Sequence, residues 1–337
     1  MRATRYAAIL AVCAVAGITG ARTGAAKPLE IRQGWAVPTA TMSPMIFTDL
    51  KILRHYGKSY IVTPIHFTGT SPELMAIATG DVDIVTISYS TLPFAIENAH
   101  IDDLRVVADG EQDGVDGHFS SPYLVRNDST IKSIEDLKGK VIADNAIGDA
   151  VDIGARAMLL QHGLVANHDY SIVEAAFPTL GPMLLQGKVQ LIGDVPPFIY
   201  AQKLKAATHT LFTMKDAVGP SQLIMLAARE SFLQKNRAAL DDFFEDLVRG
   251  TRWMLDPAHR EQALAVAAAF AKVSPESLGD YYLTKEDRYR DPNCMPNVAA
   301  LQHNIDTQHK LGILKSDFDV RPYIDTSFVE HAANRIH

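Results

Sequence analysis

From Leu29 onward the apolar positions fall into short blocks whose period switches between that of a strand and that of a helix. Leu29 to Ala36, Tyr60 to Phe67, Val82 to Ser88 and Leu104 to Ala108 read as strands. Between them, Pro44 to Tyr56 reads as a helix stopped by Gly57, and Ser71 to Thr79 as a helix that Ser71 caps. A Gly- and Asp-rich loop from Asp109 to Gly117 closes this first unit. The second unit repeats the alternation. Tyr123 to Arg126 is extended, Ser133 to Leu137 is a short helix with Ser133 and Asp136 as a capping box, and Val141 to Ala143 is a strand. Asp149 to His162 is a helix closed by Gly163, and Ser171 to Ala175, Pro182 to Gln186 and Gln190 to Gly193 run strand, helix, strand. After a strand at Leu223 to Ala228 the chain is helical: Gln234 to Leu255, Arg260 to Lys272, Pro275 to Tyr282 and Asn297 to Leu311. Such alternation predicts an α/β fold of two parallel sheets covered on both faces, with a helical C-terminal tail.

The first 26 residues follow neither period. Arg2 and Arg5 precede an apolar run from Tyr6 to Ile18, followed by the small residues Thr23 to Ala26. This is the pattern of a secretory signal peptide cleaved near Ala26, since the run is shorter than the about 20 residues a membrane span needs. The expected compartment is therefore the periplasm. The whole chain of 337 residues carries 32 Lys and Arg against 39 Asp and Glu, a net charge of −7. Cleavage takes three Arg and no acid with it, leaving −10. That balance excludes a phosphate-neutralising surface, so nucleic acid is not an expected partner. Cleavage also removes Cys13, and Cys294 alone excludes an intrachain disulfide and reads as an inert thiol.

Catalytic and cofactor motifs are missing: there is no G-x-S-x-G, H-E-x-x-H, phosphate loop, dinucleotide fingerprint or C-x-x-C. His303 and His309, six apart on one helix, do not share a face. Asp109, Glu111 and Asp113 followed by Gly114 imitate the start of a calcium loop, but Ser120 stands where a bidentate Glu is required. The segment reads instead as a solvated inter-lobe loop that touches ligand. No cofactor and no metal is expected. What remains is a set of polar strand ends, where ligands of open α/β sheets bind. In the first unit these carry Trp35, Thr39 and Thr41, then Thr70, then Ser88 and Tyr89; in the second they carry Asn145, Gly148 and Asp149, then Asp194. His118 and Phe119 sit near the first crossing, and Trp35, Tyr89 and Phe119 offer rings for stacking on a ligand or for core packing.

Several segments resemble one family. Arg54-His-Tyr-Gly57 is like the end of its first helix, Leu74 to Ile84 like its "aLaaGdvDia" turn, and Leu104 to Ala108 like its "lrvva" strand. Ile131 to Ala143 looks like "ikslaDLkGkkia", and Gly312 to Phe328 resembles its C-terminal ending. On these residues the chain resembles the periplasmic substrate-binding proteins of ABC importers, in the nitrate/sulfonate/taurine group that also holds thiamine-pyrimidine precursor binders. The resemblance implies a bilobal (type II) periplasmic binding protein with two crossover hinge strands. Residues 27–119 plus 222–337 would form lobe 1 and residues 120–221 lobe 2. It further implies a monomeric, non-enzymatic binder that closes on a small organic anion, a sulfonate or carboxylate, and delivers it to an inner-membrane ABC permease. A pyrimidine-precursor synthase on the same fold, or a ligand-sensing partner of a membrane receptor, are the alternatives. One departure matters. The family often has Gly-Ser where this chain has Gly148-Asp149, and an acid there competes with a ligand anion and leaves room for a ligand with a donor group.

Overall fold

The computed structural model describes residues 27–48 and 51–336. The expected signal peptide and Cys13 lie outside the described residues, as do positions 49 and 50. The first half of the chain lays down β1 (Leu29–Trp35), β2 (Tyr60–His66), α1 (Thr70–Thr79), β3 (Ile84–Ser88), α2 (Thr91–Glu97) and β4 (Leu104–Asp113). A second series follows: β5 (Pro122–Arg126), β6 (Val141–Asp144), α3 (Ala150–Gln161), β7 (Ser171–Glu174), α4 (Phe177–Leu185) and β8 (Leu191–Gly193). It ends with α5 (Gln202–Ala207), β9 (Thr208–Thr213) and α6 (Met214–Val218). Then come β10 (Ser221–Arg229), α7 (Glu230–Lys235), α8 (Arg237–Leu255), α9 (Arg260–Ala271), α10 (Pro275–Gly279), α11 (Val298–Lys310) and α12 (Ser327–Arg335).

These strands make two five-stranded sheets, ordered β2-β1-β3-β10-β4 and β7-β6-β8-β5-β9. Neither is purely parallel, as the alternation alone suggested. β10 runs antiparallel to β3 and β4, and β5 antiparallel to β8 and β9. The reason lies in connectivity: β5 and β10 are the first strands after each crossing between sheets, and each enters its sheet against the grain. The chain thus makes two lobes with two crossovers and a helical C-terminal region, the bilobal architecture. We propose the lobe limits 27–119 with 222–337 and 120–221, on the ground that both crossings fall near those joints.

Several local expectations hold. Gly80 and Gly187 end the turns after α1 and α4 at φ 78° and 72°, where a side chain would be strained. Helix α8 buries Leu240, Phe243, Phe244, Leu247 and Val248, the i, i+3, i+4, i+7, i+8 face of a helix packed on a core. Others fail. Among the described residues of Pro44 to Tyr56, the only helical element is a 3₁₀ turn at Met45–Phe47. The amides of Arg54, His55 and Tyr56 instead converge on the buried Asp246 carboxylate of α8, at 2.8, 2.9 and 3.1 Å, and the Tyr60 hydroxyl joins them at 2.9 Å. A tertiary acceptor has taken the amides a helix would have used. β9 was not anticipated, since Thr208 to Thr213 is too polar to read as a strand. The Asp109 to Gly117 segment is a strand as far as Asp113, and that stretch is buried, while Asp116 and Gly117 are exposed.

Candidate functional site

Strand ends converge on a cavity between the two sheets, with an empty volume of ≈ 540 Å³, its mouth included. Ala36 and Val37 follow β1, Gly69 and Thr70 follow β2, and Thr86 and Ser88 belong to β3. From the second sheet come Asn145 after β6, Phe177 at the start of α4 and Val195 after β8. These are the carboxyl ends of parallel strands, where side chains and helix N-termini face outward together. Leu223 and Ile224 of β10 complete an apolar wall.

The polar residues of the cavity are tied together across the cleft. Asp149, at the N-cap of α3, extends its carboxylate to the N-terminus of α1 in the other lobe. It accepts the Ser71 amide at 2.9 Å and hydroxyl at 2.6 Å, the Thr70 amide at 3.2 Å and hydroxyl at 2.9 Å, and the Asn145 side-chain N–H at 2.8 Å. Ser71, expected as the cap of α1, is thus a donor to Asp149, and Gly69 holds the cap position without a side chain. A methyl on Gly69 would overlap the Asp149 carboxylate, so the close approach depends on glycine. Two further bonds cross beside it: Tyr89 donates its hydroxyl to the Ala150 carbonyl at 3.0 Å, and Ser90 to the Gly148 carbonyl at 2.8 Å. On another side, Tyr200 donates to the Glu286 carbonyl at 2.9 Å and stacks on Tyr281 at 4.2 Å.

Beneath the cavity lies a charge cluster that sequence reasoning missed as a unit. Gln112 bridges Tyr289 antiparallel, which puts Glu111 and Asp113 on the same face as Arg288 and Arg290. Arg288 donates to Glu111 at 2.7 Å, to Asp113 at 3.3 Å and to the Ser121 hydroxyl at 2.6 Å. Arg290 donates to Asp287 at 2.8 Å, to Glu111 at 3.3 Å and to the Thr39 carbonyl at 2.8 Å. Glu111 and Arg288 line the cavity itself. Burial pushes the Glu111 carboxyl up to about 7 against the opposing pull of Arg288 and Arg290. Asp109 is not a calcium ligand in waiting: its oxygens accept from Gln222 at 2.7 Å and the Asp291 amide at 2.9 Å.

Of the twelve residues singled out in the sequence, the fold brings Thr41, Thr70, Ser88, Asn145 and Asp149 together around the cavity. The others lie elsewhere. Trp35 packs against His66 and Phe270 at 4.5 and 4.8 Å. Tyr89 is buried as a cross-lobe tie, and Gly148 donates its amide to Asp152. Thr39 supports Arg290. His118 meets Tyr289 edge-on, and Phe119 lies 6.0 Å from the Arg288 guanidinium. Asp194 is buried beside the lining residue Val195, whose amide it accepts at 2.9 Å. Glu111 belongs to the segment read as a ligand-touching loop, whereas the sequence reading passed over Arg288 and also Phe177 and Ile224, apolar residues that carried no chemical signal.

Asp194 and Asp144 stand at the ends of β8 and β6, each with one buried oxygen that has no partner among the described residues. Desolvation raises both carboxyls to about 8, in Asp144 with help from the charge of Asp152. A carboxyl held above its unfolded value near 4 favours the fold fully only below that value, and the benefit is lost as pH rises through 8. The melting temperature is therefore expected to fall between about pH 5 and pH 8, and Asp194→Asn to flatten that decline. A pH scan of both proteins by calorimetry checks it, and identical slopes would count against Asp194 as the cause.

Residues 115–260 match the model of a family described as NMT1/THI5 like. No curated protein matches the chain. Among solved structures, the chain is similar to the alkanesulfonate-binding protein SsuA from Xanthomonas axonopodis pv. citri bound to MOPS, at 17% identity and TM-score 0.67, covering 89% of this chain and 99% of that one. It is similar to the periplasmic nitrate-binding protein NrtA from Synechocystis PCC 6803 at 13% identity and TM-score 0.71, over 92% and 89%. The desulfurization enzyme DSZB matches at 14% identity and TM-score 0.62, over 92% and 100%. At such identities these likenesses establish the fold alone.

Proposed function

We propose that this chain, which resembles the periplasmic substrate-binding proteins of the nitrate and sulfonate group, is a solute-binding component of an ABC importer. It captures one small organic molecule between its lobes in the periplasm and presents the closed form to an inner-membrane permease. The observation that carries the reading is the cavity itself, built from the strand ends of both sheets and tied across by Asp149, Tyr89 and Ser90. A site shared by two lobes is exposed when they part and enclosed when they meet, as capture and release require. Thr41, Thr70, Ser88, Asn145 and Asp149 are the proposed ligand contacts.

The lining favours binding over turnover. It contains no histidine, cysteine or lysine, and its two carboxylates are engaged, Glu111 by Arg288 and Arg290 and Asp149 by Thr70, Ser71 and Asn145. Cys294 lies outside it, donates to Thr251 at 3.3 Å, and is pushed by burial to about 12, far from the thiolate. The test is a thermal-shift screen of residues 27–337 against small organic solutes, with calorimetry of any hit. A saturable rise in melting temperature at one solute per chain, with no product formed, is expected. Turnover of the bound solute would sink the transport reading in favour of an enzyme.

A further inference from the structure

We infer that the protein carries a second binding site, a groove beside the loop that bears Asp149, and that this groove takes a short apolar monocarboxylate. The inference goes beyond the solute reading of the central cavity and does not depend on it.

The groove has an empty volume of ≈ 860 Å³, its open mouth included, and shares no lining residue with the central cavity. Ile147 and the α3 residues Asp152 and Arg156 line it from one lobe, and Ile313, just after α11, lines it from the other. Its charge chemistry is set by one turn of α3. Arg156 donates its Nε–H to both oxygens of Asp152 at 2.8 Å each, and the Gly148 amide donates to one of them at 2.8 Å. Asp152 is buried and its carboxylate is thereby engaged at both oxygens. Arg156 is not. One of its five N–H groups is used, and the four on Nη1 and Nη2 meet no acceptor among the described residues. Its side chain is 23% exposed and lines the groove, so the charge this surface shows to solvent is the guanidinium.

The unused Nη pair is the flat end of the guanidinium fork, with two parallel N–H groups spaced for the two oxygens of a carboxylate. A single cation already offset by Asp152 suits one negative charge better than two. Around it the groove is apolar. Ile153 and Leu164 line it, and Ile147 and Val165 stand on it 52% and 49% exposed, among the most exposed large apolar side chains of the described residues. Exposed apolar surface beside a cation with unused N–H groups fits an amphiphile, its head on Arg156 and its chain over Ile147 and Val165. Because both lobes line the groove, it is complete only while they are closed.

The test titrates residues 27–337 with hexanoate, acetate and hexylammonium by calorimetry. Hexanoate is expected to saturate one site and to bind at least about tenfold more tightly than the other two, since acetate lacks the chain and hexylammonium is repelled by the guanidinium. Arg156→Gln removes the fork, and Val165→Asp sets a negative charge beside it; each is expected to weaken hexanoate binding at least about tenfold. Val165 is exposed, so its variant reports on the site even where Arg156→Gln, which leaves Asp152 without its cation, folds poorly. Hexanoate binding that is indifferent to Val165→Asp lies elsewhere, as in the central cavity, and overturns the groove while leaving the solute reading intact. Equal binding of acetate or hexylammonium overturns the ligand class, and no saturable binding of hexanoate up to about 20 mM overturns the site.

Discussion

Replacing Asp149 by alanine is expected to part the two lobes. One carboxylate accepts from Thr70 and Ser71 of the facing lobe and from Asn145 of its own, and Asp149 is 4% exposed, so water does not compete for it. Hydrogen bonds to a charged group contribute about 1.5–3 kcal/mol each, but bonds sharing one acceptor do not add, so about 3 kcal/mol is a reasonable total. That moves the closed-to-open ratio by roughly two orders of magnitude. The measurement is small-angle scattering, in which the variant should show a larger radius of gyration than the parent. Gly69→Ala tests the same contact from the other side, since its methyl displaces the carboxylate without removing the charge. Both variants should also free the N-terminus of α1 and gain affinity for benzenesulfonate. If scattering is unchanged in both, the lobes are held by Tyr89, Ser90 and the Tyr200–Tyr281 stack rather than by Asp149.

The second large effect concerns Arg288. Its side chain is 3% exposed and neutralises Glu111 and Asp113, which are buried with it. Arg288→Met removes the cation and strands both carboxylates, which costs about 3–5 kcal/mol where a buried pair is broken from one side. Urea unfolding should show the loss directly. Arg288→Met combined with Glu111→Gln should recover part of it, because one stranded charge goes with the partner. Protonation gives a second readout. Glu111 is already raised to about 7 with both arginines in place, and without Arg288 it rises further, so the variant should lose less stability below pH 6 than above pH 8. A variant as stable as the parent at pH 8 would mean that the cluster is dispensable to the fold.

The parts of this molecule that were legible in the sequence are those where local pattern and final environment agree. The strands at Ile84 and Leu191 are apolar because they are buried, and the hydroxyl-rich ends of β2 and β3 are polar because they line a cavity. The burial of Glu111 and its pairing with Arg288 were not legible for a physical reason. Asp109-Gly-Glu111-Gln-Asp113 has the composition of a hydrated turn and is buried only because a pair of arginines 177 residues further on compensates it. A signal did exist: acids at 111 and 113 and bases at 288 and 290 share the spacing of one strand face. The aromatic residues mislead in the opposite way. Trp35, Tyr89 and Phe119 sit near strand ends, yet each is spent on packing or on a tie, because the size that suits a ring for stacking suits it equally for a core. Pro44 to Tyr56 had helical spacing but lost its amides to Asp246, an acceptor that local pattern does not reveal.

The position of β10 sets an order of assembly. The second sheet has all five strands once residue 213 has emerged, whereas the first sheet holds β1 to β4 but lacks the strand that joins β3 to β4 until residues 221–229 arrive. A chain emerging N-terminus first therefore exposes two unpaired strand edges in its earlier half throughout the synthesis of its middle, with more than a hundred residues between β4 and the strand that seals it. A truncation just before Ser221 would leave that gap permanently open, and the earliest part of this chain to be made is the last to become a finished sheet.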